Sequence, residues 1–173
     1  MATTYQAIAT VEVGAGGAAN IEFTSIPTDG TYTDLYIVTS VRFDQSSDNG
    51  LYFQFNLDTG TNYTRRYLYG DGSSATSGSA STQVRGMGGI GARSSQTAST
   101  FGNSSCYIPN YTGSNGKSVS VDGVNENNAT TADAMLWASL WNSSSAITSI
   151  SLFPSSGNIV QYSTATLYGI KNS

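Results

Sequence analysis

A chain of 173 residues has room for one hydrophobic core of moderate size and is short for two. Only 10% of its residues are charged, the net charge is −4, and Lys and Arg together number seven. Nucleic acid is therefore not an expected partner, because phosphate binding needs clustered cations. The absence of histidine excludes Ser-His-Asp and Cys-His catalysis and the common zinc sites.

The first residues contain neither the basic nor the apolar segment of a signal peptide. No later stretch approaches the roughly 20 apolar residues of a membrane span. We therefore expect synthesis in the cytosol and no membrane partner. The polar positions are filled mainly by Ser, Thr, Asn, Gly and Tyr, while 38% of the chain is hydrophobic and supplies the apolar area that a fold requires.

Short runs of β-branched and aromatic residues recur between turn signals, which is typical of β-strands. The predicted strands are residues 5–13, 20–25, 34–43, 51–57, 63–69, 101–108, 117–123, 133–141, 147–153 and 160–170. Alternate residues from Leu35 to Phe43 share one apolar face, and so do those from Leu51 to Leu57. Asn49-Gly50 is the strongest hairpin signal. A helical pattern competes over residues 132–141, but no capping box supports it, and we predict a strand there.

Residues 73–93 differ from the rest because they are rich in Ser and Gly and poor in large apolar side chains. We predict one long flexible loop here that becomes ordered against a neighbouring subunit. The segment Gly86-Met87-Gly88-Gly89-Ile90-Gly91 matches the dinucleotide-binding fingerprint in letters. It lacks the strand-to-helix context and the downstream acidic residue that nucleotide binding requires. We therefore interpret Gly86, Gly88 and Gly91 as interface positions in the loop, and we predict no cofactor.

Ten short strands without intervening helices predict an all-β fold, namely an antiparallel two-sheet sandwich that forms a single domain over residues 1–173. A jelly roll is the leading interpretation. An immunoglobulin-type sandwich is the alternative, although such domains are nearer to about 100 residues and carry a Cys…Trp…Cys framework that is absent here.

The chemistry-bearing residues are few. Paired carboxylates are able to hydrolyse glycosides without histidine, but most of the Asp residues stand in turn contexts, and we predict no catalytic residue. Two loops, around Asp44 with Asp48 and around Asp122 with Glu126, offer oxygen ligands without the spacing of a calcium loop, so we predict no metal site. The single cysteine, Cys106, is predicted to be a buried strand residue rather than a reactive thiol.

Tyrosine is abundant, and Arg65, Arg66, Tyr67 and Tyr69 concentrate aromatic rings around the only adjacent pair of basic residues. One interpretation is that these side chains alternate between the core and the outer face of a strand. The other is a subunit interface in which an arginine pairs with a carboxylate of a partner. We take these four residues as the candidate interface.

Several motifs resemble one family together: AIATV (7–11), IEFTSIP (21–27), YTDL (32–35), NYTRRYLYG (62–70), YIPNY (107–111), AITSI (146–150), QYS (161–163) and LYGI (167–170). The family is that of small virion structural proteins of tailed bacteriophages, especially marine and cyanobacterial phages. The resemblance implies a β-sandwich displayed on the particle as a capsid decoration (cement) protein or as a tail fibre component, often as a homotrimer. It implies no catalytic residue.

Three functional hypotheses follow. The first is a capsid decoration protein that is located in the virion, has the major capsid protein or other virion proteins as partners, and stabilises the head by protein contacts. The second is a receptor-binding module of the tail or fibre that recognises host-surface glycans. The third, an enzyme that trims polysaccharide, is the weakest because it depends on carboxylates such as Asp44 or Glu126.

Overall fold

The computed structural model describes residues 4–128 and 132–171, so residues 1–3, 129–131 and 172–173 of the predicted domain lie outside the described residues. The described residues form twelve strands: β1 Tyr5–Glu12, β2 Ile21–Phe23, β3 Asp34–Val41, β4 Gly50–Phe55, β5 Tyr63–Gly70, β6 Ala75–Gln83, β7 Gly86–Ile90, β8 Gly102–Ile108, β9 Lys117–Asn125, β10 Asp133–Trp141, β11 Ile150–Pro154 and β12 Thr164–Ile170. No segment of the described chain forms a helix with the length and hydropathy of a membrane span.

The strands form two antiparallel sheets. The larger sheet has the order β1-β12-β3-β8-β9-β10-β5-β6, and the smaller has the order β2-β11-β4-β7. The prediction of an all-β, two-sheet antiparallel sandwich is confirmed, whereas the jelly-roll connectivity stays a prediction at this point. The strand predicted over residues 133–141 is also confirmed as β10.

Alternation along the strands builds the core between the sheets. β3 buries Leu35, Ile37, Thr39 and Val41, and β9 buries every second residue from Lys117 to Asn125. Apolar side chains from both sheets join one buried cluster. The predicted apolar face of β4 extended to Leu57, but β4 ends at Phe55. Asn56 and Leu57 adopt positive φ angles of 52° and 55°, which turns Leu57 into solvent.

The prediction of a long loop over residues 73–93 is wrong, because this segment forms β6 and β7. β6 needs no apolar face, since it pairs along the edge of the larger sheet and none of its residues is buried. β7 is buried throughout, and its glycines leave room for large neighbours. A Cβ atom added at Gly86 would lie 2.1 Å from the Phe53 ring.

The two sheets differ in width, with eight strands in the larger and four in the smaller, so part of the larger sheet extends beyond the smaller one. β7 is the edge of the smaller sheet and contacts β8, β9, β10 and β5 of the larger one. Beyond β7 the larger sheet continues through β5 to β6, where side chains on both faces reach solvent. We call β9, β10, β5 and β6 the wing. Its inner face is the one on the side of the smaller sheet, and its outer face is the opposite one.

Candidate interaction surfaces

β5 divides the predicted interface residues between the two faces of the wing. Arg65, Tyr67 and Tyr69 lie on the inner face together with the buried Tyr63, whereas Arg66 lies on the outer face because successive side chains of a strand point in opposite directions. The predicted glycines are not part of this surface. Gly86, Gly88 and Gly91 are buried, and they accommodate core side chains such as Phe53 and Phe43. Their buried positions leave them no area to offer a partner.

The inner face of the wing carries a groove with an aromatic floor. Its volume is about 410 Å³, and Arg65, Tyr67, Tyr69, Thr76, Ser79, Ala80 and Trp137 line it. Tyr67 pairs with Trp137 across β5 and β10, and their rings stack with centroids 4.5 Å apart. We call this feature the aromatic groove.

Arginine side chains lie against the aromatic rings at one end of this groove. The Arg65 guanidinium lies 5.5 Å from the Trp137 ring centroid and 5.7 Å from that of Tyr52, and Arg85 lies 3.8 Å from the Tyr52 centroid. Within residues 4–128 and 132–171, the only ion pair is formed by Arg93 and Asp133. The positive charges of Arg65 and Arg85 are therefore offset by π-electrons rather than by a paired carboxylate.

Two donors beside the aromatic groove have no hydrogen-bond partner in the described part of the chain. They are Nη1 of Arg65 and Nε1 of Trp137, both of which are buried. Nη2 of Arg65, in contrast, donates to Oε1 of Gln83 at 3.2 Å. An unpaired buried donor costs about 1–3 kcal/mol, so this end of the groove is polar and incompletely satisfied.

A buried cluster around Asp133 adjoins the groove through Tyr69, which lines it. The carboxylate of Asp133, which is fully buried, accepts hydrogen bonds from the Tyr69 hydroxyl and from Nδ2 of Asn49 at 2.6 Å, and it pairs with Arg93 at 3.3 Å. Burial and then the hydrogen bond with Asp133 raise the pKa of Tyr69 to about 12. This cluster fixes β5 against β10 and against the loops that follow β3 and β7.

The outer face of the wing carries an exposed apolar patch, which we define as Leu68, Val124, Ala134 and Leu136. Leu68 lies opposite Leu136 on the neighbouring strand, and Ala134 lies opposite Val124. The exposed fractions of Leu68, Leu136 and Val124 are 58%, 51% and 41%. The apolar patch lines a shallow groove of about 540 Å³, which a second hollow of about 460 Å³ continues past Arg66 and Ala138.

Sequence reasoning missed this patch, although a signal was present. The apolar alternation of residues 133–141 includes both Met135 with Trp137 on one face and Leu136 with Leu140 on the other. Leu68 likewise interrupts the tyrosines of β5 on the opposite face. A strand that is apolar on both faces is expected where both faces are covered, and the outer face here has no cover within the described chain.

Carboxylates considered for catalysis or metal binding accept hydrogen bonds from backbone amides, either in their own loop or, for Asp44, in the loop between β11 and β12. Asp44 accepts a hydrogen bond from the Asn158 amide at 2.8 Å, Asp48 from the Gly50 amide at 2.8 Å, and Glu126 from the Asn128 amide at 2.7 Å. Among the described residues, no group of three or more metal-binding side chains converges. Cys106 lies buried on β8, as predicted, and burial raises the pKa of its thiol.

Comparison of the chain with models of protein families, with curated proteins and with solved structures gives no match.

Proposed function

We propose that the chain is a non-enzymatic structural protein that acts through protein–protein contacts, as a decoration protein on the capsid of a tailed bacteriophage. The assembly role is supported mainly by the apolar patch, a surface of large apolar side chains that no part of the described chain covers. The phage setting and the major capsid protein as partner come from the sequence resemblance to virion proteins.

The energetics favour a protein partner for the apolar patch. Burying the exposed parts of Leu68, Leu136 and Val124 contributes about 3 kcal/mol per copy, at the usual value for apolar side chains. Low surface charge adds to this preference, because repeated copies approach one another without strong repulsion. Many modest contacts of this kind, repeated over a shell, suit a protein whose role is to resist expansion of the capsid.

The strand order supports the jelly-roll interpretation. When the wing strands are set aside as insertions, the order β1-β12-β3-β8 remains in one sheet and β2-β11-β4-β7 in the other. The first strand then lies beside the last in one sheet, and the second beside the second-last in the other, as in two nested Greek keys. Jelly rolls are common in viral capsid and lectin domains. The two insertions are β5 with β6 and β9 with β10, and each of them contributes residues to the apolar patch.

Copy number tests the proposal directly. Quantitative mass spectrometry of purified particles is expected to give a number of copies comparable with that of the major capsid protein. A few copies to a few dozen would instead assign the chain to the tail or a fibre, and its absence from particles would refute both roles.

Leu136→Asn tests the apolar patch itself. We expect it to weaken binding to particles stripped of the protein by about tenfold, since tenfold corresponds to about 1.4 kcal/mol of lost contact energy. Leu57→Asn is the matched control, because Leu57 is 65% exposed and lies outside the patch. Equal binding of the two variants would show that the patch is not the docking surface.

A second function, recognition of host-surface glycans, is favoured by the aromatic groove. Stacked Tyr67 and Trp137 offer the flat apolar surface that sugar rings pack on, and the positive charge of Arg65 lies beside it. On an array of glycans that includes uronic acids, we expect binding that Tyr67→Ala abolishes. Tyr5→Ala, which changes an exposed tyrosine on β1, is expected to leave binding intact. No binding by the natural chain would exclude this second function.

A further inference from the structure

β6 is an open edge of the larger sheet. Among the described strands it pairs only with β5, so the main-chain groups on its other side have no strand partner. Its sequence, Ala-Thr-Ser-Gly-Ser-Ala-Ser-Thr-Gln, contains no charge and no proline. Its register against β5 is regular from Ala75 to Ala80, and the shift lies beyond Ala80. Alternate residues within this stretch therefore present an uninterrupted row of main-chain donors and acceptors to the open side of β6.

The other sheet edges are protected or short. β1, at the opposite edge of the larger sheet, carries a bulge between Ala7 and Ala9 and ends in Glu12. β2 has only three residues, and β7 is buried throughout. Bulges, charges, short length and cover are the devices by which proteins prevent pairing between exposed edges. Of the four sheet edges that the described residues form, β6 alone has none of them over residues 75–80.

We propose that β6 pairs in antiparallel fashion with β6 of a second copy, across a twofold axis, so that two larger sheets join into one continuous sheet. This inference rests on the proposed assembly role, and it names the partner of one edge.

The strand is self-complementary in the way that a twofold axis requires. Such an axis perpendicular to the sheet sets identical strands antiparallel, and each contact then occurs twice. Small hydroxyl and methyl side chains oppose one another without like charges, and Gly78 near the centre presents no side chain. The edge is also continuous with the apolar patch, since Ala75 and Ser77 line the same groove as Leu68 and Leu136. Pairing of the edges thus places two apolar patches on one face of the dimer.

Analytical ultracentrifugation of the full chain over a range of concentrations tests the pairing. We expect a monomer–dimer equilibrium in which Ser77→Lys raises the dissociation constant by at least tenfold, because a lysine on each copy beside the axis repels its equivalent. Ser120→Lys is the matched control: Ser120 is exposed on the same face of the same sheet but lies on the central strand β9. It is expected to dimerise like the natural chain, and both variants should have the same melting temperature at concentrations where the chain is monomeric.

Hydrogen exchange identifies the surface involved. Those amides of residues 75–80 that point away from β5 are expected to exchange more slowly in the dimer than after dilution to the monomer. A monomer at all concentrations, a trimer or a filament would overturn the proposal, because pairing of β6 with β6 across one twofold axis gives a closed dimer. A monomeric chain that still binds particles would refute the edge pairing alone, whereas a dimer that binds no particle would refute the decoration role alone.

Discussion

At the scale of single residues, Asp58 shows how a turn former also supports the core. Its carboxylate caps its own turn by accepting a hydrogen bond from the Gly60 amide at 2.8 Å. It also accepts from Nδ2 of Asn62 at 2.8 Å and from Nε1 of the buried Trp141 at 2.7 Å. The Trp141 hydrogen bond, followed by that of Asn62, lowers the pKa of Asp58. The sequence context Asp-x-Gly predicts the turn, but the tryptophan partner comes from a strand 83 residues away.

Asp58→Ala is expected to destabilise the fold by about 1–3 kcal/mol at neutral pH, because the buried Trp141 donor loses its acceptor. The pKa of Asp58 is lower in the folded than in the unfolded state. The contribution of ionised Asp58 to the free energy of unfolding is therefore complete above its unfolded-state pKa of about 3.9. It is lost as the pH falls through the folded-state pKa. Urea unfolding at about pH 7 and about pH 3 should show a large difference between variant and natural chain at the first pH and a smaller one at the second. A pH-independent difference would contradict the assigned ionic role.

At the scale of elements, strands with an apolar face were predictable and strands without one were not. All ten predicted strands form, because alternation such as that of residues 34–43 is set by burial on one side. β6 and β7 escaped prediction for opposite reasons. β6 is stabilised by pairing with β5 and buries nothing. β7 is buried but consists largely of glycine, because Phe53 occupies the space beside Gly86 and Ser104 occupies the space beside Gly89.

The candidate surfaces were predictable in part. The aromatic residues of β5 stand out in the sequence, and three of the four predicted side chains do line the aromatic groove or its end. Trp137 and Asp133 were not linked to them, since the β5–β10 pairing joins residues about 70 positions apart in a way that no local pattern encodes. The apolar patch requires the same long-range register.

Gly86→Ala tests the packing account of β7. The added methyl group would overlap the Phe53 ring, and we expect a loss of about 1–3 kcal/mol from the strain of overpacking. Gly14→Ala is the control, since no atom lies within 4 Å of the methyl position there. Denaturant unfolding should place the two variants well apart. Similar stabilities would mean that β7 can shift away from the smaller sheet without cost.

At the scale of the whole molecule, buried tyrosines make the fold sensitive to alkali. Burial is the main cause of a raised pKa for Tyr52, Tyr63, Tyr69 and Tyr111, and the hydrogen bond to Asp34 is the main cause for Tyr107. A tyrosine whose pKa is higher in the folded state contributes its stabilisation below the unfolded value of about 10, and this is lost as the pH rises through the folded value. As the pH rises, these tyrosines therefore lose their protons in the unfolded chain before they do so in the folded chain.

Stability is therefore expected to fall steeply above about pH 10, with Tyr69 contributing over the interval up to its pKa of about 12. Chemical denaturation at several pH values, followed by far-ultraviolet circular dichroism, measures the slope. Tyr69→Phe removes one titrating group and should make the slope shallower. An unchanged slope would indicate that Tyr69 ionises equally in the folded and unfolded chains.

The pairing of β1 with β12 also determines how the molecule bears a pulling force. Tyr5 lies opposite Ile170 and Glu12 opposite Thr164, so the chain enters and leaves the larger sheet at the same end of two neighbouring strands. Tension between the two termini then breaks the hydrogen bonds between β1 and β12 one pair after another, because antiparallel hydrogen bonds lie perpendicular to the strands and therefore along the pulling direction. Resistance to stretching must therefore come from contacts that hold β1 against β12. A partner bound across both strands would supply such contacts.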